Sequence, residues 1–158
     1  MGERTRFLKS DEGDRLKVVG MDMVVKASTR DTDGAYEIVI VEGSRGDGVP
    51  AHKHPWSEAY LVLDGELHVQ IGGRAIEAAE GAFLTVPRNA LHGLVIATDT
   101  ARFLHLTMGD QAVSLFSDLS AVLPGHAGAG DVPTLIEVGA RHGLEFAAPL
   151  AQAEPVPA

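Results

Sequence analysis

The chain has 158 residues, no cysteine, and 22 acidic against 13 basic side chains, for a formal net charge of −9. That length suits one domain, large enough to bury a core without disulfide or structural metal. The missing thiols exclude thiolate nucleophiles, disulfides and sulfur-ligated metal sites. The acidic balance repels polyanions, so neither nucleic acid nor a membrane surface is expected as a partner.

In chain order, residues 1–17 form a polar N-terminal segment, too charged for the apolar centre of a signal peptide. No apolar run approaches the length of a membrane span, so a cytoplasmic location is the expectation. Residues 18–108 alternate short runs of Val, Ile, Leu and Phe with Gly, Asp and Asn. They predict strands over 18–28, 35–42, 57–63, 66–71, 74–79, 82–86, 92–97 and 101–108. Asp64-Gly65 and Gly72-Gly73 both read as two-residue hairpin turns. Leu67, Val69 and Ile71 alternate with His68 and Gln70, which gives that strand one apolar face. Strands this closely spaced must pair antiparallel, because parallel strands need long crossovers. The fold class is all-β, a sandwich or barrel.

After Gly109 the period changes to that of a helix. QAVSLFSDLSAVL sets Leu115, Leu119, Val122 and Leu123 on one side, with Asp110 available as N-cap. DVPTLIEVGARHG predicts a second helix, capped by Asp131, tolerant of Pro133 in its first turn and stopped at Gly143. Residues 109–150 are thus expected to be a helical extension, with LEFAAP trailing over the surface and 151–158 a frayed tail.

The chemistry concentrates in GDGVPAHKHPWSEAYLVLDG, residues 46–65. His52 and His54 share a face if the segment is extended, and the bend at Pro55-Trp56-Ser57 brings Glu58 towards them. Two imidazoles and a carboxylate suit Mn, Fe, Co, Ni, Cu or Zn. An isolated His-x-His is more often a surface accident, so the reading depends on a further ligand. Of the remaining histidines, His92 opens a strand that a hairpin would return beside the first group. His68 reads as a wet face and His105 as either a pocket wall or an interior histidine. His126 and His142 read as incidental to the site.

The longer spacing resembles a known family. Gly46, His52, His54, Glu58 and Gly65 stand at the intervals of the first signature motif of the cupin superfamily. Gly81, Pro87, Asn89 and His92 resemble the second motif, 15 residues further on. Asn89 stands where the family usually has Gly, and Ile96 where it usually has Asn. Asn tolerates left-handed backbone angles, so the turn can survive. The tail also resembles a branch of single-domain bacterial cupins called quercetin-dioxygenase-like.

The resemblance implies an antiparallel jelly-roll (cupin) β-barrel over 18–108 with two short C-terminal helices, and a homodimer. It also implies one divalent transition metal on His52, His54, Glu58 and His92, and a small-molecule substrate. The first functional expectation is a metal-dependent dioxygenase acting on an electron-rich enol or phenol such as a flavonol. Glu58 would then be a metal ligand or the catalytic base, and Tyr60, Phe103 and His105 pocket residues. A metal-dependent polyketide cyclase or isomerase would need the same four residues. A non-catalytic small-molecule-binding cupin is the third expectation.

Overall fold

The computed structural model describes residues 4–128 and 130–147. Two antiparallel sheets face each other as a jelly-roll barrel. The first contains β1 (Asp14–Val18), β2 (Met21–Ala27), β3 (Tyr36–Ser44), β10 (Thr100–Met108), β5 (Glu58–Asp64) and β8 (Phe83–Val86), in the order β1-β2-β3-β10-β5-β8. The second contains β4 (Gly48–Lys53), β9 (His92–Ile96), β6 (Glu66–Ile71), β7 (Arg74–Ala79) and β11 (Glu145–Phe146), in the order β11-β4-β9-β6-β7. A single helical turn, α1 (Thr29–Thr32), joins β2 to β3; α2 (Ala112–Val122) and α3 (Val132–Arg141) follow the barrel.

Alternation accounts for the core. Leu67 and Val69 on β6 and Val39 and Val41 on β3 are at most 2% exposed, all from inward-facing positions. His68, between the first pair, instead meets Glu66 at 2.9 Å on the outer face. Fully burying side chains of this kind contributes about 1.5–3 kcal/mol each.

Several elements differ from the sequence expectation. The long strand over 18–28 is two strands, because Val19 and Gly20 both take positive φ (43° and 89°) and turn the chain between β1 and β2. Strand β1 thereby includes part of the segment read as peripheral. Gly72-Gly73 does close a hairpin, since Ile71 pairs with Arg74. Asp64-Gly65 does not: β5 and β6 belong to different sheets, and the dipeptide is a corner between them. Gly65 is required there, with φ 77° and a position at which a Cβ would lie 2.4 Å from the Thr100 carbonyl oxygen.

At the C-terminal end, Asp110 does not cap α2. Gln111 holds the N-cap position without a side-chain cap, and the buried Glu37 of β3 takes the Val113 N–H instead, at 2.8 Å. Asp131 holds the N-cap position of α3, yet its carboxylate accepts from the Gly128 N–H rather than from the helix. Val122, expected on the buried stripe of α2, is 49% exposed, while Leu115 and Leu119 are buried. Within the stretch LEFAAP, Glu145 and Phe146 do not trail but form β11 on the free edge of β4, opposite Lys53 and His52, while Ala148 and Pro149 lie outside the described residues. The segment expected to fray, 151–158, lies outside the described residues.

Candidate metal centre

Register brings the distant histidines together. His52 lies directly opposite His92 across the β4–β9 pair. His54 follows the end of β4, and its carbonyl accepts the Asn89 N–H at 2.8 Å, which ties the loop before His92 to the loop after β4. Asn89 has φ 59°, so this non-glycine residue does adopt the left-handed turn. Glu58 opens β5 with its side chain on the same face as Tyr60. His105 of β10 sits directly opposite Tyr60.

All three histidines are buried, and their ligand nitrogens lie within 4.8 Å of one another. Each has Nδ1 on a backbone carbonyl: His52 on Pro50 at 2.8 Å, His54 on Trp56 at 3.0 Å, His92 on Ala90 at 2.8 Å. A carbonyl only accepts, so Nδ1 carries the proton in each ring and Nε2 presents a lone pair. This outer support fixes both tautomer and ring orientation. Trp56 stacks on His54 with centroids 4.1 Å apart and further restricts that ring.

The Glu58 carboxylate faces these nitrogens, Oε1 being 2.8 Å from His92 Nε2 and Oε2 3.1 Å from His54 Nε2. His92 Nε2 is buried and, despite that short distance, makes no aligned hydrogen bond. Lone pairs directed at carboxylate oxygens repel unless a cation or proton lies between them. Neutral nitrogen donors, one carboxylate and an unpartnered buried nitrogen fit a divalent transition metal, with His52, His54, His92 and Glu58 able to hold it.

The electrostatics agree with that fit at His52 and Glu58, while at His92 they favour a positive charge beside the carboxylate, which a bound cation would supply in place of the proton. Burial, with the neighbouring His92, pushes His52 down to about 4, so it stays neutral and ready to ligate near pH 7. Burial also pulls His92 down, but contact with the Glu58 charge outweighs it and the net shift is upward. For Glu58 burial pulls upward, and the charge and hydrogen bond of His105, with the contacts of His54 and His92, carry the carboxyl well below its usual range. His105 donates Nε2–H to Glu58 Oε2 at 2.9 Å, and the Tyr60 hydroxyl donates to Oε1. Burial and the Glu58 charge together raise the Tyr60 phenol well above its ordinary value.

Beside the cluster lies a cavity of about 430 Å³, within the ~300–1,000 Å³ usual for small-molecule sites. Tyr60, Phe103 and His105 all line it. Sequence reasoning missed two rings from the C-terminal extension: Phe116 of α2, 5.6 Å from the His105 ring, and Phe146 of β11, 5.9 Å from the His52 ring. Neither lies near the motifs, and the helical stripe expected in this segment comprises Leu115, Leu119, Val122 and Leu123, without Phe116. His126 and His142 are partnered: His126 reaches Asp47 of the β3–β4 loop at 3.0 Å, and His142 joins Asp118 at 2.7 Å.

A barrel of two antiparallel sheets with three inward imidazoles and a carboxylate at one end is the cupin arrangement. The cupin-domain family (Cupin_2) matches residues 39–108. Residues 39–108 are a cupin domain, and the barrel around them has the cupin fold. It is 31% identical over 112 residues to quercetin 2,3-dioxygenase of Bacillus subtilis (strain 168), a match covering 70% of this chain and 33% of that protein. The chain thus spans about a third of the length of that curated relative.

Solved structures share the fold at lower identity. KdgF from Halomonas sp. is 20% identical, with a TM-score of 0.63, over 70% of this chain and 99% of that one. The polyketide cyclase RemF from Streptomyces resistomycificus is 21% identical, with a TM-score of 0.58, over 66% and 80% of the two chains. Among the described residues no helix is long and apolar enough to cross a membrane.

Proposed function

We propose that this chain is a metal-dependent dioxygenase acting on a small electron-rich enol or phenol, of which a flavonol is the type. The observation that carries the reading is one cavity with a strongly polar cluster at the candidate metal ligands. His52, His54 and Glu58 line the cavity there, with the His92 ring 4.3 Å from that of His52, and apolar walls make up most of the rest apart from Asp47 and His126. The 31% identity to a quercetin 2,3-dioxygenase supports the same reading.

A divalent metal on His52, His54, His92 and Glu58 would bind and polarise the substrate's enol or phenol oxygen and make it reactive towards dioxygen. The chain's own residues would do the rest. Glu58 receives donors from His105 and Tyr60, and a carboxylate so satisfied is a weak base. Its resting role is therefore that of a ligand. It would accept a substrate hydroxyl proton only when one of those two donors turns away. His105 is placed to hold the carboxylate in position and to relay that proton. Phe103, in edge contact with Tyr60 at 5.8 Å, would exclude water from the reacting carbon.

The Glu58–His105–Tyr60 chain also supports a second reading, a metal-dependent cyclase or isomerase, since one carboxylate acceptor linked to two donors can move a proton without dioxygen. An oxygen electrode separates the two. Metal-loaded protein given a flavonol or another enol should consume about one dioxygen per substrate lost and be inactive without air. Equal turnover without oxygen would replace the dioxygenase by the cyclase or isomerase. Binding without turnover in either condition would overturn both in favour of a non-catalytic binding cupin.

A further inference from the structure

The cupin-domain match ends at residue 108, but the cavity does not. Part of its wall comes from residues beyond the barrel: Leu115, Phe116 and Leu119 on α2, Leu135 on α3, and Leu144 and Phe146 at and before β11. These elements are firmly seated. Glu37 on β3 accepts the Val113 N–H, the Lys17 N–H donates to Ser120 Oγ at 3.0 Å, and the Val19 N–H donates to the Leu123 carbonyl at 3.2 Å. His126, in the α2–α3 loop, closes on Asp47 across the rim and lies so near Gly20 that a Cβ there would be 2.3 Å from its Nδ1. His126 is 75% exposed, which places the mouth of the cavity at this pair.

The second observation is one of charge. Among the described residues, the ionisable side chains lining the cavity are Asp47, His52, His54, Glu58, Tyr60, His105 and His126, with neither Lys nor Arg. Two of the seven are carboxylates, one at the metal end and one at the mouth. An anionic group on the ligand away from the metal would lose its hydration and meet no fixed cation.

We infer that the C-terminal extension, through Phe116, Leu119 and Leu135, is the specificity-determining wall of the site, and that it selects a neutral, largely apolar ring compound whose polar oxygen lies only at the metal end. This rests on the reading above that the cavity is the substrate site. Sugar acids, small dicarboxylates and phosphorylated compounds are excluded by the same wall.

Equilibrium binding tests the inference without turnover. Trp56 is the only tryptophan, stacks on His54 and lines the cavity, so its emission reports occupancy. The probes are flavone, which lacks the enol hydroxyl that oxygenation would need, and a flavone sulfonate of the same ring system. Flavone should quench Trp56 saturably in the metal-loaded full-length chain, and the sulfonate should bind at least about tenfold more weakly.

Leu119→Phe, which fills the wall, should weaken flavone about tenfold, and Phe116→Ala about fivefold. Metal content should stay close to wild type in both, while melting temperature falls by a few degrees, because both side chains pack against the core. Equal affinity for the two probes, no quenching by flavone, or unchanged flavone binding in both variants would overturn the inference. If a variant fails to fold, the two-probe comparison on the wild-type chain still decides it. Flavone binding without oxygen uptake from enols would count against the dioxygenase and leave this wall in place.

Discussion

At the scale of single residues, the site depends on which ring nitrogen bears the proton. Each of His52, His54 and His92 is anchored at Nδ1 by a carbonyl two residues away in sequence. The local backbone, rather than a distant partner, therefore aims the three lone pairs. Removing one imidazole leaves the others oriented but one donor short. His52→Ala should lower metal affinity by more than the about 10–100-fold that loss of an outer hydrogen-bond partner costs. Its far-UV circular dichroism should match wild type, because the buried apolar core does not pass through His52. Metal retained in full by that variant, measured by elemental analysis after dialysis, would remove His52 from the ligand set.

At the scale of elements, the junction of barrel and helices turns on one buried acid. Glu37 lies on β3 and takes backbone N–H groups from Val113, Ala112 and Thr29. It acts as the N-terminal cap that Gln111 and Asp110 do not supply. Burial raises its carboxyl above 4.5 against the pull of those donors. A carboxyl with a raised folded value holds its proton more tightly in the native chain than in the unfolded one. Its contribution is fully present below 4.5 and is lost as pH rises from there through the folded value. Urea unfolding of Glu37→Gln should lack that part of the wild-type pH slope. Glu37→Ala should cost about 1–3 kcal/mol at neutral pH, because the freed N–H groups lose their acceptor. A slope identical in Glu37→Gln and wild type would assign the effect to another group.

At the scale of the whole molecule, the barrel core is built without the candidate metal ligands. The apolar cluster runs from Val18 on β1 to Leu144 before β11 and includes the inner faces of both sheets. Chelation should therefore leave the fold intact while lowering its stability by the free energy of binding. With free metal at about 100 times its dissociation constant that is about 2.7 kcal/mol, or about 5–10 °C in melting temperature for a chain of this length. Calorimetry with and without a chelator reads the shift. Unfolding on chelation would make the metal a structural staple instead.

What could be read from the chain follows the range of each interaction. Alternation placed β5, β6, β7, β8 and β10 closely, because side-chain period is a property of the strand itself. Motif spacing brought His92 to His52, His54 and Glu58 although 33 residues separate His92 from Glu58, because the turns between them are short and regular. Asn89 at φ 59° fits its place in the second motif, since its short polar side chain tolerates the left-handed region.

Tertiary structure alone decided the corner at Asp64-Gly65, the capping of α2 by Glu37, the docking of Phe146 beside His52, and the extent of the cavity. Each depends on a group brought from another part of the fold: the Thr100 carbonyl against Gly65, a β3 carboxylate against a helix end, a two-residue strand on the edge of β4. A dipeptide such as Asp-Gly permits both a hairpin and a corner, and only the sheet that the next strand joins selects between them. The amino-acid order specified the strands and the donors. Packing between segments distant in sequence determined the walls around them.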